Sequence, residues 1–375
     1  MKGNAFPFMA RFLCQLMNAL RSNHYSEKTI MTKIIIDAMG GDYAPKQQVL
    51  GCVEALRKDK DLYLILCGDE TQIKAELAGA GKYDESRLEI VHTTEVITME
   101  EVPTRAVKTK KDSSTVVAFR LLKEGRADGL VSSGSTGAVL TAGVLILGRI
   151  KGVSRPGLCP IIPNRKGTGT MICDCGANLE CKPINLVHFA LMASAYAKTA
   201  GIQEPKVGLL NNGTEDHKGL PLQQEVNALL KKIDCINYAG NIEGRDIMYG
   251  DVDVVVSDGF TGNIATKSIE GCGKAVGAIM SREYKRNLWA KIRAAISMGI
   301  IKRIKGGLDY EACGGAAFLG LSKMVVKAHG NSRARGFAIC INQAAKAVRG
   351  NLVENIKTLV DENAELVNES LSKEE

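Results

Sequence analysis

Aromatic residues make up only 5% of the chain, with a single Trp, and there are five His. Positive charge without aromatic platforms or a known binding module is a poor match to nucleic-acid recognition. No apolar run reaches the roughly 18 residues that a transmembrane helix needs. The eleven cysteines are scattered and odd in number. Cys173, Cys175 and Cys181 cluster, but no C-x-x-C pair appears, so free thiols of a reducing compartment are expected and a metal site is not. A dinucleotide fingerprint and a metal-binding carboxylate set are also missing. No Ser/His/Asp or Cys/His constellation can be placed, and His92, His188, His217 and His329 read as unrelated to any site.

What is present is an ordinary globular composition in 375 residues, 45% apolar and 24% charged, with 39 Gly and a formal charge of +8. That length allows one large α/β domain or two smaller ones. Many glycines with few aromatics suit a chain of tight β–α turns. The charge excess favours acidic partners or an anionic surface, although solvated lysine alone produces such a value.

The stretch Asp128–Leu140 organises the rest. Leu130 and Val131 end a buried strand, Ser132 to Gly137 carry no bulky side chain, and Ala138 to Leu147 continue as a helix. Ser132, Gly134, Ser135, Thr136 and Gly137 can offer converging backbone N–H groups and a helix N-terminus to an anion. An ordinary capped β–α turn has the same composition. The stretch fails the G-x-G-x-x-G and Walker patterns. It misses the G-x-S-x-G elbow because Ser133 stands where the first Gly belongs.

The folded part begins at Thr32, where Ile34, Ile35 and Ile36 read as a strand buried on both faces. Asp37 and Asp42 then bracket Gly40 and Gly41, with Pro45 placed to open a helix. Further strands are expected at 62–67, 88–92, 128–132, 206–210, 235–238, 252–257 and 324–327. Residues 158–162 and 170–174 read as a hairpin. Helices are expected at 70–80, 113–124, 183–200, 222–232, 261–279 and 332–348. Such alternation predicts a Rossmann-like α/β/α sandwich around a mainly parallel sheet over residues 32–350. Residues 351–375 read as an acidic C-terminal helix and tail. Residues 1–31 read as a leader, either disordered or translated from a start upstream of Met31.

Further polar–glycine clusters follow strand ends. They are 37–42, Asp174 to Asn178 with Lys182, Leu210 to Glu215 with Asn212 and Lys218, and Ser257 to Asn263 with Asp258. In a parallel sheet the carboxyl ends share one edge, so these loops are expected to converge on a single crevice. Rich in donors and poor in nucleophiles, that crevice suits a substrate anion that attacks for itself, such as phosphate on a carbonyl.

Ile36 to Asp42 with Ala44-Pro45 resembles the opening of the bacterial phosphate acyltransferase (PlsX) family. The likeness continues through Ser132–Gly137, Asp174–Asn178 with Lys182-Pro183, Glu243–Asp246, Asp258–Asn263, Gly314-Gly315-Ala316 and Lys327–Gly330. It departs at Gly134-Ser135-Thr136, where the family more often has Gly-Asn-Thr. The resemblance implies conversion of acyl-[acyl-carrier protein] and inorganic phosphate to acyl phosphate for phospholipid synthesis, without a cofactor. It also implies a fold similar to phosphotransacetylases and isocitrate/isopropylmalate-type dehydrogenases, and a cytoplasmic homodimer loosely bound to the membrane. A membrane glycerol-3-phosphate acyltransferase would consume the product. On this basis Lys182, Asn178, Asp258 and Asn263 are the expected catalytic residues, and Ser132–Gly137 the phosphate turn. Asp37, Gly40, Gly41, Asp42, Asn212 and Lys218 are the expected pocket.

Residues 281–307 form a basic amphipathic arm. Leu288, Ile292 and Ile296 repeat at helical spacing beside Trp289, with eight Lys and Arg against Glu283 alone. Gly299 is expected to bend it. An anionic membrane surface is one partner for such a face, and a dimer-packing helix is the other reading. Without the family likeness, a nicotinamide-dependent decarboxylating dehydrogenase of similar fold and a non-catalytic scaffold for acyl carrier protein remain alternatives.

Overall fold

The computed structural model describes residues 31–307 and 313–365. The expected leader, up to residue 30, and the end of the acidic tail, 366–375, lie outside the described residues.

Three successive isoleucines cannot all face one side of a strand, so β1 (Thr32–Asp37) has to be covered on both. Ile34, Ile35 and Ile36 are fully buried. Parallel neighbours flank β1 on each side: β2 (Leu62–Gly68) with β3 (Leu88–His92) beyond it, and β4 (Gly129–Ser132) with β12 (Met324–Lys327) beyond. The antiparallel β11 (Ala316–Leu319) and then β5 (Gly157–Cys159) complete this seven-stranded sheet. Strand order turns back between β1 and β4, the kind of position where open α/β sheets bind ligands.

One face of this sheet is covered by α1 (Lys46–Lys58) and α12 (Ala334–Arg349), which put Val49, Leu56, Phe337 and Ile341 against Ile34 and Ile36. The short α2 (Glu70–Ala78) follows β2 and is capped by Asp69, which accepts from the Gln72 N–H. On the other face, α4 (Ser114–Lys123) and α5 (Thr136–Ala142) pack Phe119 and Val139 on Ile35 and Leu130. A further helix, α3 (Pro103–Thr109), lies against α5. The chain after α5 continues as one π turn, Gly143–Leu147.

A second sheet has five strands in the order β6 (Ile161–Ile162), β7 (Thr170–Cys173), β10 (Val254–Val256), β8 (Lys206–Leu210) and β9 (Asn237–Ile242), with only β6 antiparallel. Between the sheets runs α6 (Pro183–Ala200). Each of its residues from Ile184 to Ala197 is buried, and they join one core cluster with strands of both sheets. A helix apolar all round is buried all round. The remaining elements are α7 (Pro221–Leu230), α8 (Asp246–Tyr249), α9 (Gly259–Lys285), α10 (Leu288–Ile296), α11 (Met298–Gly307) and α13 (Leu352–Glu362). Ala265 and Ile269 of α9 cover the outer face of the second sheet over Ile172 and Val255. Leu352, Ile356 and Val360 of α13 are buried in the cluster around α6.

The α/β sandwich expected from the alternating pattern is present, divided between two sheets. Three local expectations need correction. The strand expected over 158–162 is split at Pro160, which sends β5 to the first sheet and β6 to the second. The helix expected from Thr261 starts at Gly259, inside the polar loop, and runs on through the expected start of the arm. The arm does not bend at Gly299, which lies within α11. It breaks at Asn287, whose side chain accepts from the Ala290 N–H at 2.8 Å, and again at Ser297. Asn287, extended at the N-cap of α10, makes this break, not glycine flexibility. The helix α3 and the strand β11 had no counterpart in the sequence reading.

Candidate active site

Asp37 ends β1 with its carboxylate fully buried, and the sequence supplies a hydroxyl for every side of it. Ser114 Oγ donates at 2.6 Å, Thr115 Oγ1 at 2.8 Å and Ser132 Oγ at 2.7 Å. A buried carboxylate needs such donors. Asp37 therefore locks the end of β1 to the start of α4 and to the end of β4. Ser132 also accepts the Gly134 N–H at 3.0 Å. Ser133 donates to the Gly40 carbonyl, and Gln48 donates both to that carbonyl and to Ser133 Oγ. A Cβ on Gly40 would lie 2.6 Å from the Gly134 nitrogen, so two loops can approach this closely only with glycine there. Asp42 adds a third loop, its N–H donating to the Gly330 carbonyl at 2.8 Å.

Asp174, at the end of β7, is the corresponding knot in the second sheet. Its oxygens accept from the N–H groups of Leu158, Cys175, Ala177 and Asn178 and from Asn178 Nδ2. Burial raises its pKa while these donors oppose the rise. Asn178 gives its other amide hydrogen to the Pro156 carbonyl, so this side chain is spent on holding the loop. Asp258 caps α9, taking the Thr261 N–H and Oγ1, both at 2.8 Å.

These loops surround a cavity of about 460 Å³. The first sheet lines it with Gly134 and Thr136, Leu158, Ala316, and the run Lys327 to Gly330. From the second sheet and α9 come Pro160, Cys175, Gly176, Asn263, Thr266, Lys267 and Glu270, and Met99 closes one side. Leu158, Pro160, Ala316 and Met99 are apolar lining; the lysines, Asn263 and Thr136 are polar lining. Cys175, the thiol on this lining, is pushed up to about 12 by burial and touches Thr266 Oγ1 at 3.1 Å. It is no thiolate nucleophile near neutral pH.

Of the residues singled out from sequence, Gly134, Thr136 and Asn263 line the cavity. Asp37, Ser132, Gly40, Gly41 and Asp42 stand behind it or in the loops joined to it, and Asn178 and Asp258 shape its loops. Ser135 precedes α5 without a side-chain capping bond. Lys182, exposed at the start of α6, and Asn212 and Lys218, beyond β8, are not among the lining residues. One expectation is overturned: His329, read as unrelated, is part of the wall. Burial, then its lysine neighbours, lower its pKa, while Glu270 opposes them. Lys327 went unnoticed as a site residue although it ends a continuous apolar strand, where a buried cation is unusual. Burial brings its pKa down to about 8. Among the described residues no group of three or more His, Cys, Asp and Glu could hold a metal.

Residues 32–355 match the family described as "Fatty acid synthesis protein". The phosphate acyltransferase of Clostridioides difficile is 44% identical over 88% of this chain and 96% of its own length. That of Clostridium tetani is 44% identical over 87% and 97%. Among solved structures, the EutD phosphotransacetylase from Staphylococcus aureus superposes with a TM-score of 0.55 at 18% identity, covering 89% of this chain and 98% of that one. At such identity the likeness is one of fold.

Proposed function

The chain belongs to the fatty acid synthesis protein family, whose relatives named above are phosphate acyltransferases, and from that premise we propose that it transfers an acyl group from acyl-[acyl-carrier protein] to inorganic phosphate. It is an acyltransferase. The observation that carries the specific reaction is the cavity itself. Its lining combines cationic and donor-rich residues with apolar ones, and the Cys175 thiol is held protonated. Such a pocket suits a phosphate and a thioester side by side, with the phosphate as nucleophile.

In the proposed reaction a phosphate oxygen, held at the Gly134–Thr136 turn, attacks the thioester carbonyl carbon. The new C–O bond forms as the carbonyl π electrons move to oxygen. Asn263 and a backbone N–H stabilise that oxyanion, an effect of roughly 3 to 4 kcal/mol for a well-placed donor. The oxyanion then collapses, the C–S bond breaks, and the carrier's thiolate leaves and takes up a proton. No acyl-enzyme forms. Asp37 and Asp174 hold the loops in register, and Lys182 adds positive charge to the loop that carries Cys175 and Gly176. The acyl phosphate, an amphiphile, would pass to a membrane glycerol-3-phosphate acyltransferase for phosphatidic acid synthesis.

A homodimer bound peripherally to an anionic membrane completes the reading. Phe260, Ile264, Val276 and Ile279 are exposed along α9, and Leu288, Trp289 and Ile296 are 71%, 69% and 82% exposed on the arm. No helix among the described residues is long and apolar enough to cross a membrane. The deciding assay measures free thiol released from acyl-carrier protein, with hydroxylamine trapping of acyl phosphate, with and without phosphate. Both signals should rise with phosphate above the enzyme-free hydroxylamine background, and thiol release without hydroxylamine should require phosphate. Isolation of a kinetically competent acylated protein would end this account.

A further inference from the structure

Asp37, Ser132 and Lys327 stand side by side, in register across β1, β4 and β12 at the carboxyl edge of the first sheet. In-register residues of parallel neighbours put their side chains on the same face. Lys327 is only 8% exposed, yet it lines the cavity. Its ammonium has three donors, and among the described residues its acceptor is the carbonyl of the next residue, Ala328. It makes no ion pair among the described residues. The nearby carboxylates are engaged elsewhere or exposed. Asp37 is filled by three hydroxyls, Glu270 pairs with Lys267 at 2.9 Å, and Asp42 is solvent-facing. A buried cation with no carboxylate paired directly to it is costly, and a bound anion would offset that cost.

We propose that Lys327 is the cationic ligand of the phosphate acceptor, reaching it from the end of β12 beside the Ser132–Gly137 turn. The inference rests on the phosphate-acceptor reading above and names the residue that makes this pocket take an anion. Thr136 and the turn supply directional donors, and Lys327 supplies the charge. The groups that act on Lys327 come from every side: Asp37 from β1, Asp42 from its loop, Cys340 from α12, and Lys267 from α9. Glu270, His329 and Lys327 share the cavity wall. Burial dominates these and leaves the amine titrating near pH 8.

The test reads phosphate binding directly, as protection of the full chain against thermal unfolding by inorganic phosphate with no acyl substrate present. In the parent, once phosphate is the dianion, the apparent dissociation constant should weaken above about pH 8, by up to roughly tenfold per pH unit, as the amine loses its proton. Lys327→Met should weaken binding roughly ten- to hundredfold at pH 7. Lys327→Arg should keep most of the affinity and remove the alkaline weakening, since guanidinium does not titrate there. A folded Lys327→Met protein protected like the parent would overturn the proposal, and so would parent binding that stays flat to pH 9.5. Thiol release keeps the two readings apart. Phosphate protection that depends on Lys327 without thiol release sinks the acyl transfer and leaves the anion site. Thiol release with an unchanged Michaelis constant for phosphate in Lys327→Met sinks the anion site alone.

Discussion

Ser132 and Lys327 are direct partners in the parallel ladder of β4 and β12, and the Ala328 N–H donates to the Ser132 carbonyl at 2.9 Å. A hydroxyl committed to Asp37 thus stands beside an ammonium with no such commitment. The first group builds the site, and the second gives it a charge. This row separates what holds the loops from what is left to meet a substrate.

Lys327 also has a consequence for stability. Its folded-state pKa lies near 8, below the ordinary 10.5. Below pH 8 the amine is protonated in both states, and the full penalty of burying its charge is present. Between pH 8 and 10.5 the unfolded chain binds the proton and the folded one does not, so stability rises with pH across that window. Without phosphate, Lys327→Met should therefore be more stable than the parent at pH 7 by on the order of 2 to 3 kcal/mol. The advantage should shrink toward pH 10.5. Urea unfolding at pH 7 and pH 9.5 measures both numbers, and a gap that widens with pH contradicts the assignment.

Asp37 should behave in the opposite way. Three hydroxyls donate to its buried carboxylate, so Asp37→Ala leaves Ser114, Thr115 and Ser132 without their acceptor. The expected loss is about 3 kcal/mol or more in denaturant unfolding. Phosphate-dependent turnover should fall with it, because the Ser132–Gly137 turn loses its anchor. A variant with parent stability would show that these hydroxyls find partners elsewhere.

The strands and helices that were legible in the sequence are those whose signal is local. Three isoleucines mark β1, an apolar run opened by Pro183 and closed by Gly201 marks α6, and Met324 to Lys327 marks β12. Other features depend on partners far along the chain. Asn178 stands two residues after Gly176 and reads as an available amide, but Asp174 and the Pro156 carbonyl consume both of its hydrogens. Lys327 joins Ser132 and Asp37 through a register set by strands nearly two and three hundred residues away. That register is invisible in any window of sequence. β11 is short and half alanine, and α3 begins at Pro103 within a charged run, so neither has a periodic pattern to find. Gly299 suggested a bend from glycine content alone, whereas Asn287 makes one by capping.

Gly262 tests how tightly the two halves of the site are joined. A Cβ there would overlap the Asp174 carbonyl oxygen, which is backbone and cannot rotate away. Gly262→Ala should cost roughly 2 to 3 kcal/mol through forced separation of α9 from the Asp174 loop. It should also reduce turnover, since Cys175, Gly176 and Asn263 line the cavity from those two elements. Calorimetric melting of the purified variant checks the first effect, and thiol release checks the second.

Asn263 is a side-chain amide on the cavity lining, and the proposed reaction sets it against the developing oxyanion. Its side chain lies 3.6 to 3.7 Å from the position of a Cβ on Gly176, at the mouth of the loop held by Asp174. It is exposed on the first turn of α9 and is not needed for the core. Asn263→Ala should leave the melting temperature close to that of the parent and lower kcat by about 100- to 1,000-fold. The Michaelis constant for phosphate should stay nearly constant. If that constant rises while kcat holds, Asn263 binds the ground state and the oxyanion donor is a backbone N–H.

The arm offers a prediction independent of the chemistry. Leu288, Trp289, Ile292 and Ile296 are exposed on α10, with Ile300 and Ile304 exposed on α11, while Ala294 and Ile301 are buried. Arg282, Lys285, Arg286, Lys291, Arg293 and Arg303 carry charge along the same segment. Apolar burial and attraction to anionic lipid add together at such a surface, and salt weakens only the second. The parent should float with vesicles rich in anionic lipid, less so at high salt, and poorly with neutral vesicles. Trp289→Glu with Ile292→Glu should remain at the bottom of the gradient while keeping thiol release, because neither residue lines the cavity. If the double variant floats like the parent but elutes as a smaller species in gel filtration, the same apolar face packs against a second copy of the chain, and the membrane reading of the arm fails.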